Sequence, residues 1–196
     1  EELPQVIQPK SGFIYNANHS PFLSTSKNEN PKKDSFSKNM GFETYNNNRS
    51  TRLYDLIEEK KELDYNDFKK IKYDNSLPNP LSYSWMDINA LFDINPNRYP
   101  EISNILIQIQ KWDRKTDADS YGAGAYAIFY LKLRKYYKQI PEPKIFPKTF
   151  LIEALKETKK HMLKFFGKEK VKLGEFQKLV RGSKEIPIFG FRDVIT

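Results

Sequence analysis

The spacing of apolar and polar residues changes period several times along the chain, and each change marks an element. Phe13, Ile14 and Tyr15 follow the turn-forming pair Ser11-Gly12 and have high strand propensity, which predicts an extended strand over 12–17 stopped before Pro21. On an extended backbone Asn16 and Asn18 would point to the same side. From 22 to 46 no period holds; Asn28-Glu29-Asn30-Pro31-Lys32-Lys33-Asp34 is turn chemistry throughout. A loop of this length in a compact domain is usually functional or mobile. A helical period begins at Asn47 or Asn48, either a good N-cap, and runs to about Glu59 with Leu53, Leu56 and Ile57 inward.

Asp64 caps a short helix from Tyr65 to Tyr73, which ends before Pro78 and Pro80. Trp85, Ile88, Leu91 and Phe92 then recur at roughly helical spacing within 80–93. Pro100 opens a helix whose Ile102, Ile105, Leu106 and Ile109 form an i, i+3, i+4, i+7 stripe, a core face. The next helix begins at Tyr121 with small residues, Gly122 to Ala125 and Ala127, that allow close packing, and continues through Ile128, Phe129, Leu131 and Leu133. Pro141, Pro143 and Pro147 form a stiff linker before a helix over 148–166 bearing Phe150, Leu151, Ala154, Leu155, Met162 and Phe165. Leu173 to Val180 reads as a last short helix, and Ile186 to Phe191 as an extended apolar run.

The fold class expected is α+β and predominantly α-helical. One segment, 1–196, carries strands near 12–17 and 186–192 around a helical region over 47–182. Its 38% hydrophobic content is low, but 14 Phe, 12 Tyr and 2 Trp supply large burial areas. No apolar run approaches the ~20 residues of a membrane span. Absence of cysteine excludes disulfides, thiolate catalysis and Cys-based zinc sites.

The net charge of +8 invites a nucleic-acid reading. Only seven of the basic residues are Arg, the residue suited to bidentate phosphate and base contacts, and no helix-turn-helix, zinc-finger or RNP-like pattern accompanies them. A solvated basic surface explains the charge better, and no nucleic-acid partner is expected. Asn28, Glu29 and Asn30 lack EF-hand spacing and read as a turn. Asp117, Asp119 and Ser120 read as the N-cap region of the helix that follows. His161, with no second ligand at i±4, reads as packing. No metal ligands and no cofactor are assigned.

Arg49 falls on the apolar stripe of its helix, between Leu53 and Leu56, in a first turn that favours anions rather than cations. It needs acceptors. Either its stem snorkels to a surface carboxylate such as Asp55 or Glu58, or it serves a site. The oxygen-rich Asn16–Asn18 tip offers acceptors, so Arg49 is expected within hydrogen-bonding reach of it despite the distance in sequence. No Ser-His-Asp arrangement, P-loop or GxGxxG is present, and His19 and His161 stand beside no motif that identifies a nucleophile.

Gly12-Phe13-Ile14-Tyr15-Asn16-Ala17-Asn18-His19-Ser20-Pro21 resembles the G-Y-x-x-N-x-N-x-x-P segment of the penicillin acylases, a family of N-terminal-nucleophile hydrolases. The similarity continues in order through Asn48-Arg49-Ser50-Thr51-Arg52-Leu53, Lys111-Trp112-Asp113, Gly174-Glu175-Phe176 and Ile186-Pro187-Ile188-Phe189-Gly190. Where the family often has Trp-Asp-Gly, this chain has Arg114, so the turn there is expected to differ. The resemblance implies an internal segment of the large subunit, supplying one or two strands and a helical insertion to an αββα sandwich. It implies hydrolysis of the amide of an N-acyl compound, such as a penicillin side chain or an acyl-homoserine lactone, through an acyl-enzyme on an N-terminal serine. That serine would lie upstream, since Glu1 cannot serve, so the chain alone is expected to be inactive.

The resemblance further implies that Asn18 donates to the oxyanion and that Arg49 packs beside it. The partners implied are the remaining parts of a self-cleaving precursor and a small N-acyl substrate, in a periplasmic or extracellular setting. Structural calcium is a possibility for the full-length enzyme only. The alternative is a non-catalytic helical interaction module with a basic surface, in which Asn18 is a turn residue and Arg49 pairs at the surface. Strands left without partners would expose apolar surface and favour self-association.

Overall fold

A computed structural model describes residues 3–81, 83, 86–141 and 145–194. Glu1, Trp85 and Pro143 lie outside the described residues. The chain is predominantly helical. In order it forms α1 (Asn48–Glu58), α2 (Tyr65–Lys72), α3 (Ser103–Gln110), α4 (Tyr121–Leu133), α5 (Lys148–Phe166) and α6 (Leu173–Phe176). An antiparallel hairpin of β1 (Lys178–Arg181) and β2 (Lys184–Pro187) follows.

The core is built around α4, which is apolar on every side and buried from Ala123 through Tyr130. Ser120 caps it by accepting the Ala123 N–H at 3.1 Å. α3 brings Ile105, Leu106 and Ile109 against it, and α5 brings Leu151, Ala154, Leu155 and Met162, all fully buried. The small-residue stretch is used for close approach. A Cβ on Gly124 would lie 2.1 Å from the Val171 carbonyl oxygen, and one on Gly122 would lie 2.5 Å from the Trp112 side chain. Leu173 N–H and Gly174 N–H donate to Ser120 O and Ala118 O, tying α6 to the start of α4.

Three expected elements differ. Residues 12–17 pair with no strand among the described residues; Tyr15 N–H to Ser24 O at 2.9 Å and Thr25 Oγ1 to Phe13 O at 2.8 Å tie them to the following loop. Among the described residues of 80–93 there is no α-helix: Asn79-Pro80 is a cis peptide, and the helical turn there is a 3₁₀ turn at Asn89–Leu91. Ile88 and Leu91 are nonetheless buried in the main core. The helix expected over 173–180 stops at Phe176, because Lys178–Arg181 finds a ladder partner across the two-residue turn Gly182-Ser183. The partner strand is Lys184–Pro187, so the extended segment begins two residues before 186 and its ladder ends at Pro187.

The first third of the chain rests on this body through α1. Arg52 donates to Asp74 in a two-pronged pair, Nε to Oδ1 at 3.1 Å and Nη2 to Oδ2 at 2.9 Å. Asn48 donates through its backbone N–H and Nδ2 to Asp193 Oδ2 at 3.2 and 3.0 Å. Tyr15 and Tyr54 pack with ring centres 6.0 Å apart, in a satellite cluster outside the main core.

Candidate functional site

The tip after Tyr15 is a turn. Asn18 adopts φ +55, the left-handed region that Asn tolerates better than most residues. Its N–H donates to Asn16 Oδ1 at 2.7 Å, closing an Asx turn. The two amides therefore do not project side by side as on a strand: Asn16 shapes the turn, and Asn18 stands at its crest.

His19 is buried and fully occupied. Its Nδ1 accepts the Ala17 N–H at 3.1 Å, which leaves Nε2 as the protonated nitrogen, donating to Leu23 O at 2.9 Å. Its ring stacks on Tyr15 with centres 4.8 Å apart. With both nitrogens committed, it has no lone pair for general-base work.

The start of α1 holds the turn from the other side. Asn47 Oδ1 caps the helix by accepting Ser50 N–H at 2.8 Å, while its Nδ2 donates to Ala17 O and Asn18 O, each at 2.9 Å. One side chain thus starts the helix and fixes the turn.

Arg49 completes the clasp. Its Nη2 donates to Ala17 O at 3.2 Å and to Asn18 Oδ1 at 3.1 Å, across 31 residues. The structure brings Asn18 and Arg49 together, and Arg49 bonds to neither Asp55 nor Glu58. Because Asn18 Oδ1 is held by a cationic donor, the amide orientation is determined, and its NH2 has no acceptor among the described residues. Asn18 is exposed, so this NH2 faces outward. A fixed, outward, neutral donor is the kind of group that stabilises negative charge developing on an oxygen.

Asp193 is the member that sequence reasoning missed. It arrives from the far end of the chain at φ +74 and sets its carboxylate at the positive end of α1. Arg49 Nε is buried without a hydrogen bond and lies 4.0 Å from Asp193 Oδ1. Burial pushes the Asp193 carboxyl above its ordinary range, opposed by the Asn48 donors and the charges of Arg49 and Arg192. Nothing in the local sequence around Phe191-Arg192-Asp193 signals this; the contact is made only by folding.

The other polar clusters have structural partners. Glu29 accepts the N–H groups of Lys10 and Ser11, and Asn30 Oδ1 accepts those of Ser24 and Thr25. Asp117 accepts from Asn75 Nδ2 at 2.7 Å, and no group of three or more metal-ligating side chains occurs among the described residues. Arg114 keeps the glycine-like φ of +69, and its guanidinium stacks on Phe92 at 4.0 Å. A cavity of about 700 Å³ opens beside α1 between Arg52, Asp55, Glu58 and Arg114, but neither Asn18 nor Arg49 lines it.

Two comparisons bear on this arrangement. A family model described as Penicillin amidase matches residues 1–184. No curated protein matches the chain.

Proposed function

The chain belongs to the penicillin amidase family, and from that premise we propose that it carries the oxyanion-stabilising part of an acylase active site. At the level of the family the activity is amide hydrolysis by an acylase-type enzyme. In this reading an N-terminal serine outside this chain gives its hydroxyl proton to its own α-amine as its oxygen adds to the carbonyl carbon of an N-acyl substrate. The carbonyl π pair moves onto oxygen, and Asn18 Nδ2–H donates to that oxyanion. Arg49 keeps Asn18 Oδ1 engaged so that the NH2 is presented without reorganisation. In the same reading the remaining parts of the acylase are its partners and its location is an exported one, which the family membership supports.

The observation that carries this is the 3.1 Å bond from Arg49 Nη2 to Asn18 Oδ1, because it decides which end of the amide faces out. In the assembled enzyme, Asn18→Ala is expected to lower kcat by roughly 10²–10³ with little change in KM, the scale of one lost oxyanion donor. Arg49→Lys is expected to lower kcat as well, because the shorter side chain withdraws the single Nη2 that serves both Ala17 O and Asn18 Oδ1. Steady-state kinetics on an N-acyl substrate checks both, and unchanged turnover in Asn18→Ala overturns the assignment. The isolated chain is expected to hydrolyse no amide. Turnover by highly purified chain, lost on mutation within it, would contradict that.

A further inference from the structure

The loop between Asn18 and Asn47 contains a second hydrophobic centre that belongs to neither the main core nor the clasp. Phe22, Phe36 and Phe42 pack on one another with ring centres 5.5, 6.0 and 6.1 Å apart, two of the three contacts edge-on. None of the three joins the main core. They wall a cavity of about 370 Å³, closed further by Ser37 and Thr44, with Lys33 and Lys38 also in its lining. This volume is within the usual range for small-molecule pockets, roughly 300–1,000 Å³. Neither lysine makes an ion pair among the described residues; Asp34 is the one acidic residue in the lining.

The loop's base is locked to the clasp. Ser20 N–H donates to Tyr45 O at 3.2 Å and Ser20 Oγ to Glu43 O at 2.7 Å, immediately beside the Asn47 bonds to Ala17 O and Asn18 O. Phe22 is four residues from Asn18, so their Cα atoms are at most ~14 Å apart. One wall of the pocket thus begins within about 14 Å of Asn18 on the same loop.

We propose that the Phe22–Phe36–Phe42 pocket is a substrate subsite that receives an apolar, carboxylate-bearing end of the N-acyl substrate. The rings take the apolar group, and Lys33 and Lys38 take the carboxylate as point charges. The assignment rests on the acylase reading for its substrate but not for its binding chemistry, which the pocket supplies without Asn18.

The test uses 3-phenylpropanoate, with 3-phenylpropan-1-ol as its uncharged counterpart, followed by ligand-observed NMR and calorimetry on the full chain. The carboxylate is expected to bind saturably and the alcohol about tenfold more weakly. Phe36→Ala is expected to weaken binding tenfold or more. Lys33→Gln with Lys38→Gln, which leaves the ring packing intact, should erase the preference for the carboxylate. Asn18→Ala should leave binding unchanged. In the assembled enzyme the carboxylate should inhibit competitively, and the lysine variants should raise KM for carboxylate-bearing substrates at constant kcat. Absence of saturable binding, binding indifferent to both sets of variants, or binding that leaves turnover untouched each overturns the subsite. None of those results bears on Asn18, whose role fails only by the kinetics of its own variant.

Discussion

Asp193 shows how a single carboxylate can serve several donors at once. It accepts from Asn48 twice and faces the positive Arg49 side chain, yet burial still pushes its proton affinity up. A carboxyl titration followed by ¹³C NMR should therefore place its midpoint above the ordinary 3.8. Arg49→Gln should move the midpoint higher still, because the guanidinium is one of the charges that lowers it. The sign for stability follows. With the folded value above the unfolded one, the folded state holds the proton more tightly between the two, so this group's stabilising contribution falls as pH rises through that window. Asp193→Asn should flatten that part of the stability–pH curve, measured by denaturant titration at a series of pH values.

Asn47 was legible as a cap but not as a clasp, and α1 is where the two roles separate. Asn47→Asp retains an oxygen to accept Ser50 N–H but replaces the NH2 that holds Ala17 O and Asn18 O. The cap is worth about 1 kcal/mol, so Asn47→Asp should keep that contribution while losing the clasp and, with it, turnover of the assembled enzyme; Asn47→Ala should lose both. Thermal melts beside kinetics distinguish them. On α4, Gly124→Ala should destabilise by about 1–3 kcal/mol, since the new Cβ meets backbone that cannot rotate away. At roughly 2–4 °C per kcal/mol, the shift is readable in a melt.

Of the longer helices, α1, α3 and α5 could be read from the spacing of their apolar residues and α4 from its unbroken apolar run; α1 and α4 also carry side-chain caps, at Asn47 and Ser120. The failures have physical causes. Ile88 and Leu91 stand at helical spacing but are buried through irregular backbone, and a run as short as 177–181 is decided by its ladder partner rather than by its own period. Arg49 was legible because a cation on an apolar stripe must find acceptors. Asp193 was not, because its partner is 145 residues away.

At the scale of the whole molecule, apolar surface is unevenly distributed. The α3–α4–α5 body is tightly closed, whereas both strands of the hairpin are exposed along their length, with Leu179, Val180, Ile186, Ile188 and Phe189 each more than a third accessible. Ile7 and Ile14 are exposed as well. A short, open, apolar ladder is a template for pairing with another chain. Sedimentation velocity is expected to show reversible self-association of the chain at high concentration. Placing lysine at Val180 and Ile186 should reduce it without lowering the melting temperature, and a strictly monomeric wild-type chain would contradict the expectation. The net charge of +8 opposes association, so added salt should strengthen it.

The closed base of the 18–47 loop has a consequence for how such an enzyme can diversify. Its rim is held by bonds from Ser20 and Asn47 to main-chain carbonyls, none of them made by residues 31–41, so the interior can be exchanged like a cassette. The entropic cost of changing its length is small, about 0.6 kcal/mol per doubling. On the proposed reading, which puts the oxyanion donor at the hinge of the loop and the substrate subsite in its span, replacing Pro31–Gly41 with a short Gly-Ser bridge should preserve kcat while altering KM. Drift in one need not disturb the other.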